Sequence, residues 1–103
     1  MSDRRDEDSD LKTREKKKTK RPRRFKVLMH NDDYTTMEFV VYVLMTHFQK
    51  NRAQATHVML NIHHKGVGVC GVYPRDIAES KASKVVDEAR ASGMPLQCTT
   101  EPE

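Results

Sequence analysis

The sequence has few cysteines and no long apolar run, and both shortages exclude classes of protein. No segment approaches the ~18 consecutive apolar residues of a membrane span. Nor does any segment near the start supply the roughly 7 to 15 apolar residues of a secretory signal. We therefore expect a cytoplasmic protein without a membrane partner, in which Cys70 and Cys98 are reduced and buried.

The motifs of common metal sites and hydrolases are also missing. There is no paired C-x-x-C and no H-E-x-x-H. A metal hydrolase built from His57, His63 and His64 with two acids is an alternative, but no nucleophile has a marked base beside it. We predict that the chain is not an enzyme and that it holds no metal or other cofactor.

Positive charge is concentrated at the N-terminus. The chain of 103 residues carries a net charge of +4, yet residues 1–24 alone carry +5 and residues 25–103 carry −1. The first 24 residues contain a single Leu and no aromatic residue, which predicts a disordered basic extension ahead of one small domain at 25–103. The extension has three interpretations: a solubilising tail, an arm that binds nucleic acid, or a segment that a partner engages.

Six segments of regular structure are expected in the domain. Alternation of apolar and polar residues predicts the first strand, and helical spacing of apolar residues predicts three helices. In order, the segments are strand 25–29, helix 36–49, helix 51–64, strand 67–73, a helix from Asp76 to a stop at Gly93, and strand 96–100. The prediction is an α+β fold of order β-α-α-β-α-β, with three helices packed on one face of a small three-stranded antiparallel sheet.

Capping signals support the helix positions. Thr35 with Glu38 fits a capping box at the start of the first helix, and Asn51 with Gln54 fits a start signal for the second. Gly66 is suited to the left-handed conformation that ends the second helix. Gly68 and Gly71 are expected to leave space in the second strand for a close neighbour or a bulge.

Two polar segments stand next to apolar helix faces. The sequence Asn31-Asp32-Asp33 precedes the first helix, and Met59 and His63 are four residues apart on the second, which places them on one face. The two segments together fit a polar rim beside an apolar pocket. Two plainer interpretations stay open. Asn-Asp-Asp is a common turn sequence before a helix, and His63 could act only as a cation that complements the dipole at the C-terminal end of its helix.

Several blocks of the sequence together resemble one known family. These blocks are NDDYT, MEFVVYVL, the ML..H segment, GVGVCGVY, IAESK and PLQCT. Between about residues 25 and 101 the chain is similar to the ClpS adaptors, which bind N-terminal degradation signals (N-degrons) and deliver them to a Clp unfoldase. The resemblance implies a monomeric adaptor that recognises a free α-amine together with a bulky first side chain, Leu, Phe, Tyr or Trp.

The resemblance also assigns roles to residues. Asn31, Asp33 and His63 match the positions that bind the amine, and Asp32 either accompanies them or holds the backbone. The matching hydrophobic pocket is formed by Thr35, Met37, Val40, Met59, Ile62 and Leu96. Met37 is expected to gate the pocket against residues branched at Cβ. From spacing alone, ordinary core is the favoured explanation of the apolar members.

Two positions depart from the family pattern. Thr36 stands where the family usually has Pro, and we expect the start of the helix to be preserved. Asp76 stands where Glu is usual. Asp76 and Lys81 match family positions that contact the N-terminal domain of a ClpA-type unfoldase. The alternative is that both are ordinary surface charges. The rival class is a small ribosome- or RNA-associated protein acting through its basic tail, although the slightly acidic domain argues against nucleic-acid binding by the folded part.

Overall fold

The computed structural model describes residues 22–103 and confirms the expected order of six elements. They are β1 (Arg24–His30), α1 (Met37–His47), α2 (Arg52–Lys65), β2 (Val67–Pro74), α3 (Arg75–Ala91) and β3 (Gln97–Pro102). Each observed end lies within two residues of the predicted one. The extension expected at 1–24 falls almost wholly outside the described residues, and β1 begins at Arg24.

The three strands form one antiparallel sheet in the order β2-β1-β3. The central strand alternates as its sequence predicted: Val27 and Met29 are fully buried on one face, and Lys26, Leu28 and His30 lie on the other. This is the α+β architecture expected from the sequence, with the helices on the face of Val27 and Met29.

Helices α3 and α2 pack directly on the sheet, and α1 packs on these two helices. The stripe of small residues on α3, which includes Ala78, Ala82, Val85 and Ala89, packs against all three strands. Helix α2 packs against β2, and α1 contacts α2 and α3. None of the described helices has the length and apolar character needed to cross a bilayer.

The close contact between α2 and β2 depends on a glycine. A Cβ atom added at Gly68 would stand only 2.6 Å from Cγ1 of Ile62 on α2. Because real Cβ contacts are longer, Gly68 lets the helix approach the strand and sets the position of Ile62. The expected need for space at this glycine is confirmed.

Strand β2 contains a bulge at Cys70, one of the two buried cysteines. The pairing of β1 with β2 shifts between Val27–Gly71 and Leu28–Val69, which leaves Cys70 as the extra residue. Cys70 and Cys98 are free and buried, as the sequence suggested. Burial raises the pKa of both thiols, that of Cys98 to about 12.

One capping prediction is wrong. The residue that caps α1 is Thr36, whose Oγ1 accepts the Phe39 N–H at 3.1 Å, and Thr35 is instead bonded to Asp32. The threonine hydroxyl therefore preserves the start of the helix, as expected. The capping box of Asn51 and Gln54 on α2 is confirmed, and Gly66 ends that helix at a φ of 90°.

Candidate functional site

The candidate site lies where the end of β1 meets the end of α2. The N–H of Asn31, directly after β1, donates to the carbonyl of Gly66 at 2.9 Å. Gly66 in turn donates its N–H to the carbonyl of Ile62 at 2.8 Å, which closes the last turn of α2. These two bonds fix the turn after β1 beside the helical turn that carries His63.

The turn itself is organised by Asp32. Its Oδ1 accepts the N–H groups of Tyr34 at 2.8 Å and Thr35 at 2.7 Å, and its Oδ2 accepts the hydroxyl of Thr35 at 2.8 Å. Burial alone would raise the pKa of Asp32, but these hydrogen bonds and the charge of Arg90 outweigh burial and lower the pKa. Both carboxylate oxygens are thus committed to the turn, while Asn31 and Asp33 on either side are exposed.

A cavity of about 250 Å³ opens beside this turn. Its lining comes from the turn, the first residues of α1 and the last two turns of α2. The lining residues are Asn31, Asp32, Asp33, Thr35, Met37, Val40, Met59, Ile62 and His63. Polar groups and apolar side chains therefore share one enclosure of the size of a single large residue.

The electrostatic character of the cavity follows from this lining. Two carboxylates, an amide and an imidazole contribute polar atoms, and the described lining includes no Lys or Arg. A cationic ammonium group carries three N–H donors and forms its strongest hydrogen bonds with carboxylates. The site is suited to a ligand that is cationic at one end and apolar at the other. Within residues 22–103, no group of three or more His, Cys, Asp or Glu is placed to hold a metal ion.

The structure brings together nine of the ten residues that the sequence assigned to the site. The exception is Leu96, which is 1% exposed in the core and is not among the described side chains that line the cavity. A direct contact of Leu96 with a ligand stays a prediction. Met37, in contrast, is 47% exposed and stands at the first position of α1, at the mouth of the cavity.

The two residues assigned to partner binding lie on α3, away from this cavity. Asp76 is exposed in the first turn. Lys81 is half-buried: its Nζ donates to the carbonyl of His47 at 2.7 Å and lies 5.7 Å and 5.1 Å from the ring centres of Phe48 and Tyr73. Lys81 therefore also joins α3 to the end of α1, a role the sequence did not indicate.

A second depression adjoins the site and was missed by sequence reasoning. It encloses about 510 Å³ between α1 and α2, and its lining is Met37, Glu38, Val41, Tyr42, Met45, Thr46, Arg52 and Met59. Helical spacing of apolar residues predicted the two helices but does not show where they diverge. We call this depression the α1–α2 groove.

Comparison with known proteins gives one consistent result. Residues 20–99 match the family described as ATP-dependent Clp protease adaptor protein ClpS. A protein of Desulfatibacillum aliphaticivorans named ATP-dependent Clp protease adapter protein ClpS is 56% identical over 94 residues, which cover 91% of this chain and 90% of the relative. A protein of the same name from Oleidesulfovibrio alaskensis is 53% identical over 104 residues and 98% of each chain.

A solved structure is also similar. Agrobacterium tumefaciens ClpS2 bound to L-phenylalaninamide superimposes with a TM-score of 0.79 at 44% identity, covering 81% of this chain and all of that one. The bound compound of that relative has a free amine and an apolar aromatic side chain. Its chemical character agrees with that of the cavity described above.

Proposed function

Because the chain belongs to the ClpS family of adaptors of the ATP-dependent Clp protease, we propose that its cavity binds N-degrons. The bound group is the first residue of a substrate, with a free α-amine and a Leu, Phe, Tyr or Trp side chain. The chain is an adaptor of a protease rather than the protease itself, and we expect no catalysis by it. The observation that carries the proposal is the pairing of carboxylates with an apolar wall in one cavity of residue size.

The amine is assigned to Asn31, Asp33 and His63. Asp33 is exposed at the rim and supplies a carboxylate, the Asn31 side chain supplies an amide oxygen, and His63 supplies a ring nitrogen as acceptor. Asp32 contributes negative charge and holds the turn with its three hydrogen bonds. The arrangement offers the three donors of an ammonium group several acceptors without a competing cation in the described lining.

The first side chain is assigned to the apolar part of the cavity. Val40 and Ile62 are buried there, and Met37 and Met59 flank them. Methionine suits such a wall, because its unbranched thioether adapts to aromatic and aliphatic groups. We assign to the half-exposed Met37 the exclusion of first residues that are branched at Cβ.

Delivery to the protease requires a second surface. We assign it to α3, where Asp76 is exposed, and the partner is the N-terminal domain of a ClpA-type unfoldase, bound by a monomeric adaptor in the cytoplasm. Asp76→Lys is expected to reduce delivery of a degron-tagged substrate with unchanged peptide affinity. Removal of residues 1–21 is likewise expected to reduce delivery. Peptide affinity is expected to stay unchanged, because every described strand and helix begins at residue 24 or later.

A peptide-binding panel tests the degron assignment. Fluorescence anisotropy with peptides that begin with Leu, Phe, Ile or Arg, each free or acetylated at the amine, is expected to show tight binding of free Leu and Phe peptides alone. Asp33→Asn is expected to weaken that binding by roughly tenfold or more, because the amine loses a charged partner. Asp87→Asn, which removes an exposed carboxylate from α3, is the matched control.

The same panel separates the rival class. A protein that binds RNA through its basic extension would ignore the first residue of the peptide and would bind RNA with a steep salt dependence. Equal binding of free and acetylated Phe peptides would refute the degron assignment. Loss of peptide binding on truncation of residues 1–21 would refute the division between recognition and delivery.

A further inference from the structure

The α1–α2 groove is continuous with the proposed degron cavity. Of the described residues, Met37 and Met59 line both spaces. The groove encloses about 510 Å³ against about 250 Å³ for the cavity, so it has room for a further side chain. Tyr42, at 48% exposure, is available to a ligand there.

The distance along α1 matches the geometry of an extended peptide. Met37 and Val41 are one helical turn apart, and four residues rise ~6 Å. In an extended chain, residues 1 and 3 point to the same side and are ~6.6 Å apart, whereas residue 2 points away. A peptide whose first side chain enters the cavity and whose backbone runs along α1 would present its third side chain to the groove.

We propose that the α1–α2 groove is a subsite for the third residue of the degron and that it selects an apolar side chain there. The proposal rests on the proposed function, because it takes the first residue to be bound in the adjoining cavity. The groove offers Val41, Tyr42 and Met45 to that side chain, and the charged groups of its lining, Glu38 and Arg52, are of opposite sign. Leu, Met or Phe at the third position gains contact with these apolar side chains, whereas Asp loses hydration and meets the charges of both Glu38 and Arg52.

The test varies the third residue and holds the first two constant. Free-amine peptides beginning Phe-Gly-Leu, Phe-Gly-Ala and Phe-Gly-Asp are titrated into the full-length protein by fluorescence anisotropy. We expect the Leu peptide to bind about threefold to tenfold more tightly than the Ala peptide, the effect of partly burying one aliphatic side chain. The Asp peptide is expected to bind no better than the Ala peptide.

Two variants locate the effect. Met45→Gln keeps the length of the side chain but adds a polar amide, and it is expected to remove the preference for Leu while leaving the Phe-Gly-Ala affinity unchanged. Tyr42→Gln repeats the test at an exposed position if Met45→Gln fails to fold. Leu60→Gln is the matched control, since Leu60 is 41% exposed on α2 and is not part of the described groove lining.

The outcomes separate this inference from the function on which it rests. Equal affinities for the Leu and Ala peptides in the wild type would overturn the subsite and leave degron binding intact. A preference for Leu that survives both groove variants would also overturn it. Failure of all three free-amine peptides to bind would refute the degron function itself.

Discussion

The role of Asp32 can be decided by comparing two substitutions. Asp32→Ala removes all three hydrogen bonds that hold the turn between β1 and α1. Asp32→Asn keeps the geometry, because the amide oxygen accepts the N–H groups of Tyr34 and Thr35, and the amide nitrogen donates to the Thr35 hydroxyl. If Asp32 acts by holding the turn, the alanine variant loses affinity and the asparagine variant keeps most of it.

The expected size follows from the three bonds. In this partly exposed turn each bond contributes about 0.7 kcal/mol, or ~2 kcal/mol together. Two kcal/mol lowers the population of the ordered turn by up to about thirtyfold, and the apparent affinity for a degron peptide falls by the same factor. For Asp32→Asn we expect a loss within about threefold, because only the assistance of the charge is removed.

The assay is anisotropy with a Phe-starting peptide, and Asp87→Ala is the control for removal of an exposed carboxylate. Thr35→Val, which deletes one of the three bonds, should fall between the two Asp32 variants. An asparagine variant that binds as weakly as the alanine variant would refute the argument. It would show that the charge of Asp32 itself is needed by the bound amine.

Acid titration provides an independent measurement on the same residue. The folded pKa of Asp32 is lowered from an ordinary value of 3.8, so its contribution to stability is fully present above that value. The contribution is lost as pH falls through the folded pKa. The free energy of unfolding should therefore decline less steeply below about pH 4 in Asp32→Asn than in the wild type.

Three further substitutions or reactions test other parts of the structure. Met37→Ala should lower the ratio of dissociation constants for Ile-starting over Leu-starting peptides, because it relieves a clash worth ~1 to 3 kcal/mol; an unchanged ratio would assign the selectivity elsewhere. Since Met37 is 47% exposed, its loss should cost only about 1 kcal/mol of stability by chemical denaturation. Gly68→Ala should weaken both stability and peptide binding, since the new methyl group would displace Ile62 in the cavity wall; wild-type affinity in this variant would contradict that reasoning. Cys70 and Cys98 should resist alkylation at pH 7.5 in the folded protein and react after denaturation, and mass spectrometry would reveal early labelling.

Local sequence was sufficient for most of the secondary structure. The alternation around Val27 and Met29 and the capping box of Asn51 and Gln54 act within four residues of the chain, so they can be recognised without knowledge of the fold. The family blocks then identified nine residues that line the cavity, although spacing alone could not distinguish Met59 or Val40 from ordinary core. The wrong capping prediction at Thr35 was also local: two threonines compete for the cap, and Asp32 draws the first of them into the turn.

Only the tertiary structure decided which residues distant in sequence are in contact. The bond from Asn31 to the Gly66 carbonyl places the two halves of the site together, and the donation from Lys81 to the His47 carbonyl joins α3 to α1. The burial of Leu96 and the opening of the α1–α2 groove depend on how the helices lie on the sheet and on each other. Such contacts form only when packing of the whole chain offsets the entropy of closing long loops, and that balance is not expressed in any local pattern of residues.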